Sequence, residues 1–237
     1  MVKEELSSAD RAKAIGAFLV ALVVIGVGLH YTLPSQHNPL RPLSVTEPIG
    51  FATFGKLTRA KFGPEACFAS LSAGGVEFER IPDEETGRNC GFKNALTLQK
   101  SLTPYGGAAT LRMTCHQAAA TVIWERHVAR RLAEEMLGSP LARIETFGTF
   151  ACRNVAGSRR RSEHAFANAI DVWGFTLEDG RTIRVLDHWR KDTPEGDFLY
   201  EAFHGGCRLF SVSLGPDFNA AHRDHFHFDM GPGDTCR

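Results

Sequence analysis

The segment SEHAFANAIDVWGF, residues 162–175, combines a strand pattern with two residue types that bind metal ions in proteins. Its second half, residues 169–175, alternates in character as a β-strand does. Asp171 lies inside this strand between isoleucine and valine, and burying a carboxylate is costly unless it is paired or bound to a metal ion. His164 precedes Asp171 by seven residues. The segment therefore predicts a strand that carries a functional carboxylate.

A second segment, HRDHFHFD, ends at Asp229 and is rich in imidazole. On a strand, His225, His227 and Asp229 share one face, and the two intervening phenylalanines pack on the other. An ordinary core strand does not need so many imidazoles. Together with His164 and Asp171, the segment supplies nitrogen and oxygen ligands and a neighbouring acid or base. That is the composition of a catalytic zinc site with one position open to water.

Hydrophobic periodicity outlines the rest of the fold. Helices are predicted over residues 114–137, with Gly138 as C-cap, and over residues 194–204. Strands are predicted at residues 144–152, 169–175, 182–186, 209–214 and 225–230. This order predicts an α+β fold, with a central antiparallel sheet and helices grouped on one side.

The N-terminal part predicts a membrane anchor. Residues 14–29 form an uncharged apolar run, near the lower limit for crossing a bilayer. A cleaved signal peptide is the competing interpretation, but the following residues contain no clear small-x-small cleavage site. We expect a cytoplasmic N-terminus (1–13), a single-pass inner-membrane anchor (14–32), an extended tether (33–55) and a periplasmic domain (56–237).

The six cysteines all follow the apolar run, and none forms a CxxC pair. An even number on the exported side predicts three disulfides in an oxidising compartment, with buried free thiols as the alternative. The expected pairs are Cys67–Cys90, Cys115–Cys152 and Cys207–Cys236.

The charge balance argues against nucleic acid as a partner. Lysine plus arginine number 27, and aspartate plus glutamate also number 27, so no global field attracts a polyanion. The chain also lacks the G-x-S-x-G elbow of serine hydrolases and the G-K-S/T of phosphate loops.

From about Cys67 to Arg237 the chain resembles the extensin-like C-terminal domain family of bacterial proteins. It is also distantly similar to the LAS, or M15-type, zinc peptidases, which include D-alanyl-D-alanine carboxypeptidases. Their pattern is S-x-H-x-x-G-x-A-x-D, followed much later by H-x-H or E-x-x-H. The matching residues here are Ser162, His164, Ala169, Asp171 and His225-Phe226-His227, whereas Ala167 replaces the motif glycine. The resemblance implies an M15-like fold and Zn²⁺ held by His164, Asp171 and His227.

The resemblance also implies hydrolysis of peptidoglycan stem-peptide or cross-link bonds, as an endo- or carboxypeptidase that uses metal-activated water. Asp224 stands where E-x-x-H has glutamate, and we expect it to be the base with His225 assisting; the reversed roles are the alternative. Arg153 and Ser162 are the expected substrate contacts, and the alternatives to Arg153 are Arg159, Arg160 and Arg161. Because aspartate is shorter than glutamate, the competing function is a zinc-containing wall-binding module without hydrolytic activity. The Hedgehog signalling domains, which resemble these peptidases, are an example of such a role.

Overall fold

The computed structural model of the protein describes residues 7–86 and 89–237. Its helices are α1 (Ser8–Thr32), α2 (Thr53–Ala60), α3 (Pro64–Ala73), α4 (Cys115–Trp124), α5 (Arg130–Leu137), α6 (Val185–His188) and α7 (Pro194–Gly206). Its strands are β1 (Glu77–Ile81), β2 (Glu84–Thr86), β3 (Cys90–Phe92), β4 (Ala95–Lys100), β5 (Tyr105–Gly106), β6 (Leu111–Thr114), β7 (Leu141–Gly148), β8 (Ala169–Leu177), β9 (Thr182–Arg184), β10 (Val212–Leu214), β11 (Phe226–Asp229) and β12 (Thr235–Cys236). A π-helical turn joins α4 to α5, so the helix predicted over residues 114–137 is confirmed. Gly138 follows it with a left-handed φ of 68°.

The main sheet has the strand order β12-β10-β11-β8-β7-β5, with β9 also paired to β8. β8 runs antiparallel to β7, β9 and β11, whereas the outer pairs β10–β12 and β5–β7 are parallel. The predicted α+β class and the antiparallel centre of the sheet are confirmed. β7 ends at Gly148 rather than at residue 152, because Gly148 has a φ of 115°, outside the strand region.

Helices α4 and α7 cover one face of the main sheet. The phenylalanine rings of β11 that point to these helices are fully buried. The ring centroids of Phe228 and Trp124 lie 5.3 Å apart, and those of Phe226 and Phe203 lie 5.2 Å apart. Full burial of one such side chain contributes about 1.5–3 kcal/mol. Because successive strand residues point to opposite faces, His227 projects from the sheet face away from this core.

Helix α1 is long and apolar enough to cross a membrane, with a mean hydropathy of 2.3 over its most apolar window. Its length, composition and position near the N-terminus are those of a membrane anchor or of a signal sequence. Residues 1–6 of the predicted cytoplasmic segment lie outside the described residues.

Much of the predicted tether is packed against the domain instead of extending away from it. Val45 is fully buried; its N–H donates to Ser70 Oγ at 3.1 Å, and its carbonyl oxygen lies 3.2 Å from His127 Nε2. Leu43 and Ile49 also contact the core. These apolar side chains, interspersed among prolines and serines, provide the burial that folds the segment onto the helices.

The disulfides are Cys67–Cys115, Cys90–Cys152 and Cys207–Cys236. The predicted Cys207–Cys236 pair is confirmed, but the predicted pairs Cys67–Cys90 and Cys115–Cys152 are wrong. Helix α3 packs on α4, which brings Cys67 to Cys115. Strand β3 lies instead beside the loop after β7, where the Phe92 and Phe150 rings pack edge to face at 5.3 Å. The predicted pairs join cysteines that follow one another in the chain, whereas the observed pairs join cysteines that the packing of distant elements brings together.

Candidate metal centre

Strands β8 and β11 bring two of the site residues together. The antiparallel register sets His227 directly opposite Asp171. Side chains opposite one another in such a pair have Cβ atoms about 4.5–5.5 Å apart. Strand pairing alone therefore places an imidazole beside a carboxylate on the face of the sheet that α4 and α7 leave uncovered.

His164 reaches the same point from a short 3-10 turn, Glu163–Phe166. The Ser162 hydroxyl accepts a hydrogen bond from the His164 backbone N–H at 3.4 Å and caps the turn. Ala167 closes the turn with a φ of 51°, in the left-handed region that favours glycine. The chain then enters β8 at Ala169, so the segment from Ser162 to Asp171 is a capped turn followed by a strand.

The three predicted ligands meet in one buried cluster, hereafter the triad: His164, Asp171 and His227, with 2%, 6% and 7% of their surfaces exposed. His164 Nε2 lies 3.0 Å from Asp171 Oδ1 and 3.2 Å from His227 Nδ1. His227 Nδ1 lies 2.9 Å from the same Asp171 oxygen. One potential ligand atom from each residue thus forms a compact triangle.

Both imidazoles are fixed by a second partner outside the triad. His164 Nδ1 donates to the Thr149 carbonyl at 3.0 Å, and His227 Nε2 donates to Asp229 Oδ2 at 2.8 Å. Each of these bonds requires a proton on the outer nitrogen, so in a neutral ring the inner nitrogen presents a lone pair. The three inner atoms are then all acceptors, and only a cation, either a proton or a metal ion, holds such a group together.

The ionisation equilibria reflect this crowding of acceptors. Burial by itself raises the pKa of Asp171, but the charges and hydrogen bonds of His164 and His227 outweigh it and hold this pKa well below its usual range. Burial lowers the pKa of His227, yet its bonds to Asp171 and Asp229 raise it overall to about 9. Without a metal ion, a proton on His227 therefore serves as the cation of the triad.

The donor set and its dimensions fit zinc. Zinc in proteins takes imidazole nitrogens and carboxylate oxygens at about 2.0–2.2 Å, and tetrahedral geometry then separates the ligand atoms by roughly 3.3–3.6 Å. The observed separations of 2.9–3.2 Å are only slightly smaller. Ligand imidazoles of zinc also characteristically donate their other N–H to a carboxylate or a backbone carbonyl, as His227 and His164 do here.

A cavity of about 380 Å³ opens onto the triad, with His225, Asp224 and Arg153 in its wall. His225 Nε2 lies 3.6 Å from Asp171 Oδ1, and His225 Nδ1 lies 2.9 Å from Asp224 Oδ1. Arg153, half exposed, places a guanidinium nitrogen 3.6 Å from Asp171 Oδ2. Asp224 lies before β11 begins, so the alternation of the strand does not apply to it, and it lines this cavity.

A second cavity, of about 440 Å³, adjoins the triad from another side and is lined by His227, Asp229 and His222. Arg153 and His225 line both cavities, so they flank the centre. Ser162 also lines the second cavity, in addition to capping its turn. Burial, together with the neighbouring His227 and His225, lowers the pKa of His222 to about 4, so this ring is neutral at pH 7.

Three contributors to the centre were given no role from sequence. Asp229 shares a strand face with His227, so alternation gave a usable indication of its position. His222 belongs to the imidazole-rich segment but lies outside the strand. The Thr149 contact uses a backbone carbonyl, which no side-chain pattern can reveal.

Comparison with known proteins places the chain by family. No curated protein and no solved structure matches it. Residues 65–237, which include the triad and both cavities beside it, match the family model described as Extensin-like protein C-terminus. The chain therefore belongs to the extensin-like C-terminal family.

Proposed function

We propose that the protein is a zinc-dependent peptidase that hydrolyses peptide bonds in peptidoglycan. The observation that carries this proposal is the buried triad, whose two imidazoles are each held from outside so that His164 Nε2 and His227 Nδ1 face Asp171. The match of Ser162–Asp171 and His225–His227 to the motifs of the M15-type peptidases supports the same chemistry.

His164, Asp171 and His227 would hold the zinc ion. A zinc ion with three protein ligands supplies a Lewis acid and lowers the pKa of a water ligand toward 7. Asp229 and the Thr149 carbonyl keep the two imidazoles in the tautomer that the ion requires.

His225 is the better placed proton acceptor. Its Nε2 is the atom that approaches the triad, whereas Asp224 contacts the outer Nδ1. Asp224 would hold His225 in the orientation in which Nε2 takes a proton from the attacking water and returns it to the leaving amine. The geometry therefore favours the arrangement in which His225 is the base and Asp224 positions it.

Arg153 would supply positive charge to the substrate. Its guanidinium stands beside Asp171 and lines both cavities. An arginine there can stabilise a developing oxyanion or hold a substrate carboxylate through two parallel hydrogen bonds.

The two cavities favour an extended substrate. His164 and Asp171 line one, while His227 and Asp229 line the other, so the triad has open space on two sides. A peptide lying across the centre would place residues in both cavities, as an endopeptidase acting on a cross-link requires. A carboxypeptidase needs room for only a short segment beyond the scissile bond.

We place the domain in the periplasm, with α1 retained as an inner-membrane anchor. Three disulfides indicate an oxidising compartment, and α1 has the length of a membrane span. Peptidoglycan lies in that compartment.

The decisive experiment incubates the purified protein with cross-linked muropeptides, with and without a chelator, and follows product mass. We expect cleavage that a chelator abolishes and zinc restores. His164→Ala and Asp171→Ala should lose both zinc and turnover, whereas His225→Ala should keep zinc and lose turnover. Stoichiometric zinc and wall binding without cleavage would instead select the non-catalytic wall-binding module. A chain that takes up no zinc would refute both functions.

A further inference from the structure

We infer that the domain docks directly on the bilayer through a patch beside the end of α1. This docking patch consists of Phe51, Phe54 and Phe62, flanked by Arg59 and Lys61. The inference rests on the proposed retention of α1 as an anchor. It adds that the catalytic domain is seated on the membrane surface instead of moving on a tether.

Helix α2 has a buried side and an exposed side. The buried side packs into the domain through Lys56, Leu57 and Ala60. On the opposite side, Phe54 and Phe62 are eight positions apart, about 2.2 helical turns, so they lie about 80° apart around the helix, within one stripe about 100° wide. Lys61 retains helical backbone angles, which continues the helical path to Phe62.

The outward stripe is unusually exposed for aromatic residues. Phe51 is 91% and Phe62 is 80% exposed, and Phe54 is also solvent-facing. Exposed Arg59 and Lys61 border the stripe. Phenylalanine on the apolar side with lysine and arginine beside it is the composition of helices that lie in the interface of anionic membranes.

Hydrogen bonds tie this stripe to the end of α1. Asn38 Nδ2 donates to the His30 carbonyl at 2.9 Å, which folds the chain back on the helix end. Next to Asn38, His37 Nδ1 accepts from the Phe51 N–H at 3.1 Å. Two hydrogen bonds and one peptide link therefore connect the last turn of α1 to Phe51.

Two further bonds make the junction rigid. The Ala52 N–H donates to the Gln36 carbonyl at 3.1 Å, and Lys56 Nζ donates to the Ser35 carbonyl at 2.7 Å. The junction contains no free linker that would let the domain move away from the bilayer.

These contacts favour the lipid bilayer over a protein as the binding partner of the docking patch. Tyr31, in the last turn of α1, is exposed, and tyrosine is enriched at the level of the lipid headgroups. Interfacial helices bury their apolar face about 5–10 Å into the boundary of headgroups and acyl chains. The short connection from α1 to Phe51 holds the docking patch next to that level.

The test uses the full chain reconstituted as one copy per nanodisc, in lipid that contains phosphatidylglycerol and brominated acyl chains. A Phe51→Trp variant reports contact with the acyl region by bromine quenching. Leu186→Trp is the matched control, because Leu186 is also an exposed apolar residue but belongs to α6. We expect the added emission of residue 51 to be mostly lost in brominated lipid, and that of residue 186 to be unchanged.

A third variant separates docking from mere closeness to the anchor. Phe54→Glu with Phe62→Glu, added to Phe51→Trp, should abolish the quenching, because two carboxylates keep α2 out of the lipid. Equal quenching at residues 51 and 186, or quenching that survives the two glutamates, would overturn the docking. The mass of the chain extracted from cell membranes tests the anchor itself independently.

Discussion

Replacing Asp229 by Asn tests the proposed metal centre at a residue that contacts one of the proposed ligands, His227, and not the metal site itself. Asp229 Oδ2 accepts from His227 Nε2 at 2.8 Å, and its Oδ1 accepts from the Gly231 N–H, also at 2.8 Å. Asparagine keeps the shape and one carbonyl oxygen, but it removes the negative charge that fixes the His227 tautomer. Loss of such an outer partner weakens metal binding about 10–100-fold, which corresponds to about 1.4–2.7 kcal/mol.

The affinity is measured by competing the metal-stripped protein against a chromophoric zinc chelator, with far-UV circular dichroism to confirm the fold. Asp234→Asn is the matched control, since Asp234 is an exposed aspartate a few residues further along the chain. We expect the control to bind zinc as tightly as the native chain. If Asp229→Asn also bound zinc with native affinity, the outer partner would have no role and the reasoning for a zinc centre would fail.

Three further predictions concern stability and rate. Burial, assisted by Lys61, lowers the pKa of His116 to about 4. The unfolded chain has a histidine pKa near 6.5. Between about pH 6.5 and pH 4, this histidine is therefore protonated in the unfolded chain and neutral in the folded chain. The free energy of unfolding should fall by about 2 kcal/mol more in the native chain than in His116→Asn between pH 7 and pH 5, as measured by denaturant titration; equal losses would contradict this. Replacing both Cys90 and Cys152 by Ala opens a 62-residue separation and should lower the free energy of unfolding by up to about 4 kcal/mol, visible as a reduced guanidinium midpoint. An unchanged midpoint would count against that pairing. Asp224→Asn should lower kcat at least about tenfold while leaving zinc affinity native, whereas His225→Ala should lower kcat by about 10²–10⁴-fold. A larger loss for Asp224→Asn than for His225→Ala would reverse their roles.

The local features of the site could be predicted from sequence because a strand has a fixed period of two. Alternation in HRDHFHFD separates Phe226 and Phe228 from His227, and the structure buries both rings in the core. Alternation in the segment that forms β8 likewise places the Asp171 carboxylate on one face of the sheet and the Ile170 side chain on the other. The position of His227 opposite Asp171 depends on strand order and register, which alternation within one strand does not give; the motif resemblance implies that the two residues meet, and the structure shows the register.

The errors arose where tertiary packing competes with local composition. The segment around Val45 is rich in proline and serine, as linkers are, yet a few apolar side chains fold it onto the domain. The pairs expected from the sequence join consecutive cysteines, but α3 packs on α4 and directs Cys67 to Cys115. Neither outcome is encoded within a window of one element, because both depend on which helix covers which surface.

The arrangement of the triad is difficult to explain as a purely structural ion pair. A protonated His227 beside Asp171 would satisfy both groups, and His164 could then turn its Nε2 elsewhere. Instead, the Thr149 carbonyl fixes His164 so that its lone pair faces the other two acceptors. A neutral His164 in this position directs a further acceptor at a pair that is already satisfied, which raises the free energy of the metal-free fold. A divalent cation would remove this conflict by bonding to all three atoms at once, and His225 and Asp224, which line the same cavity, are placed for the proton transfer that the proposed hydrolysis needs.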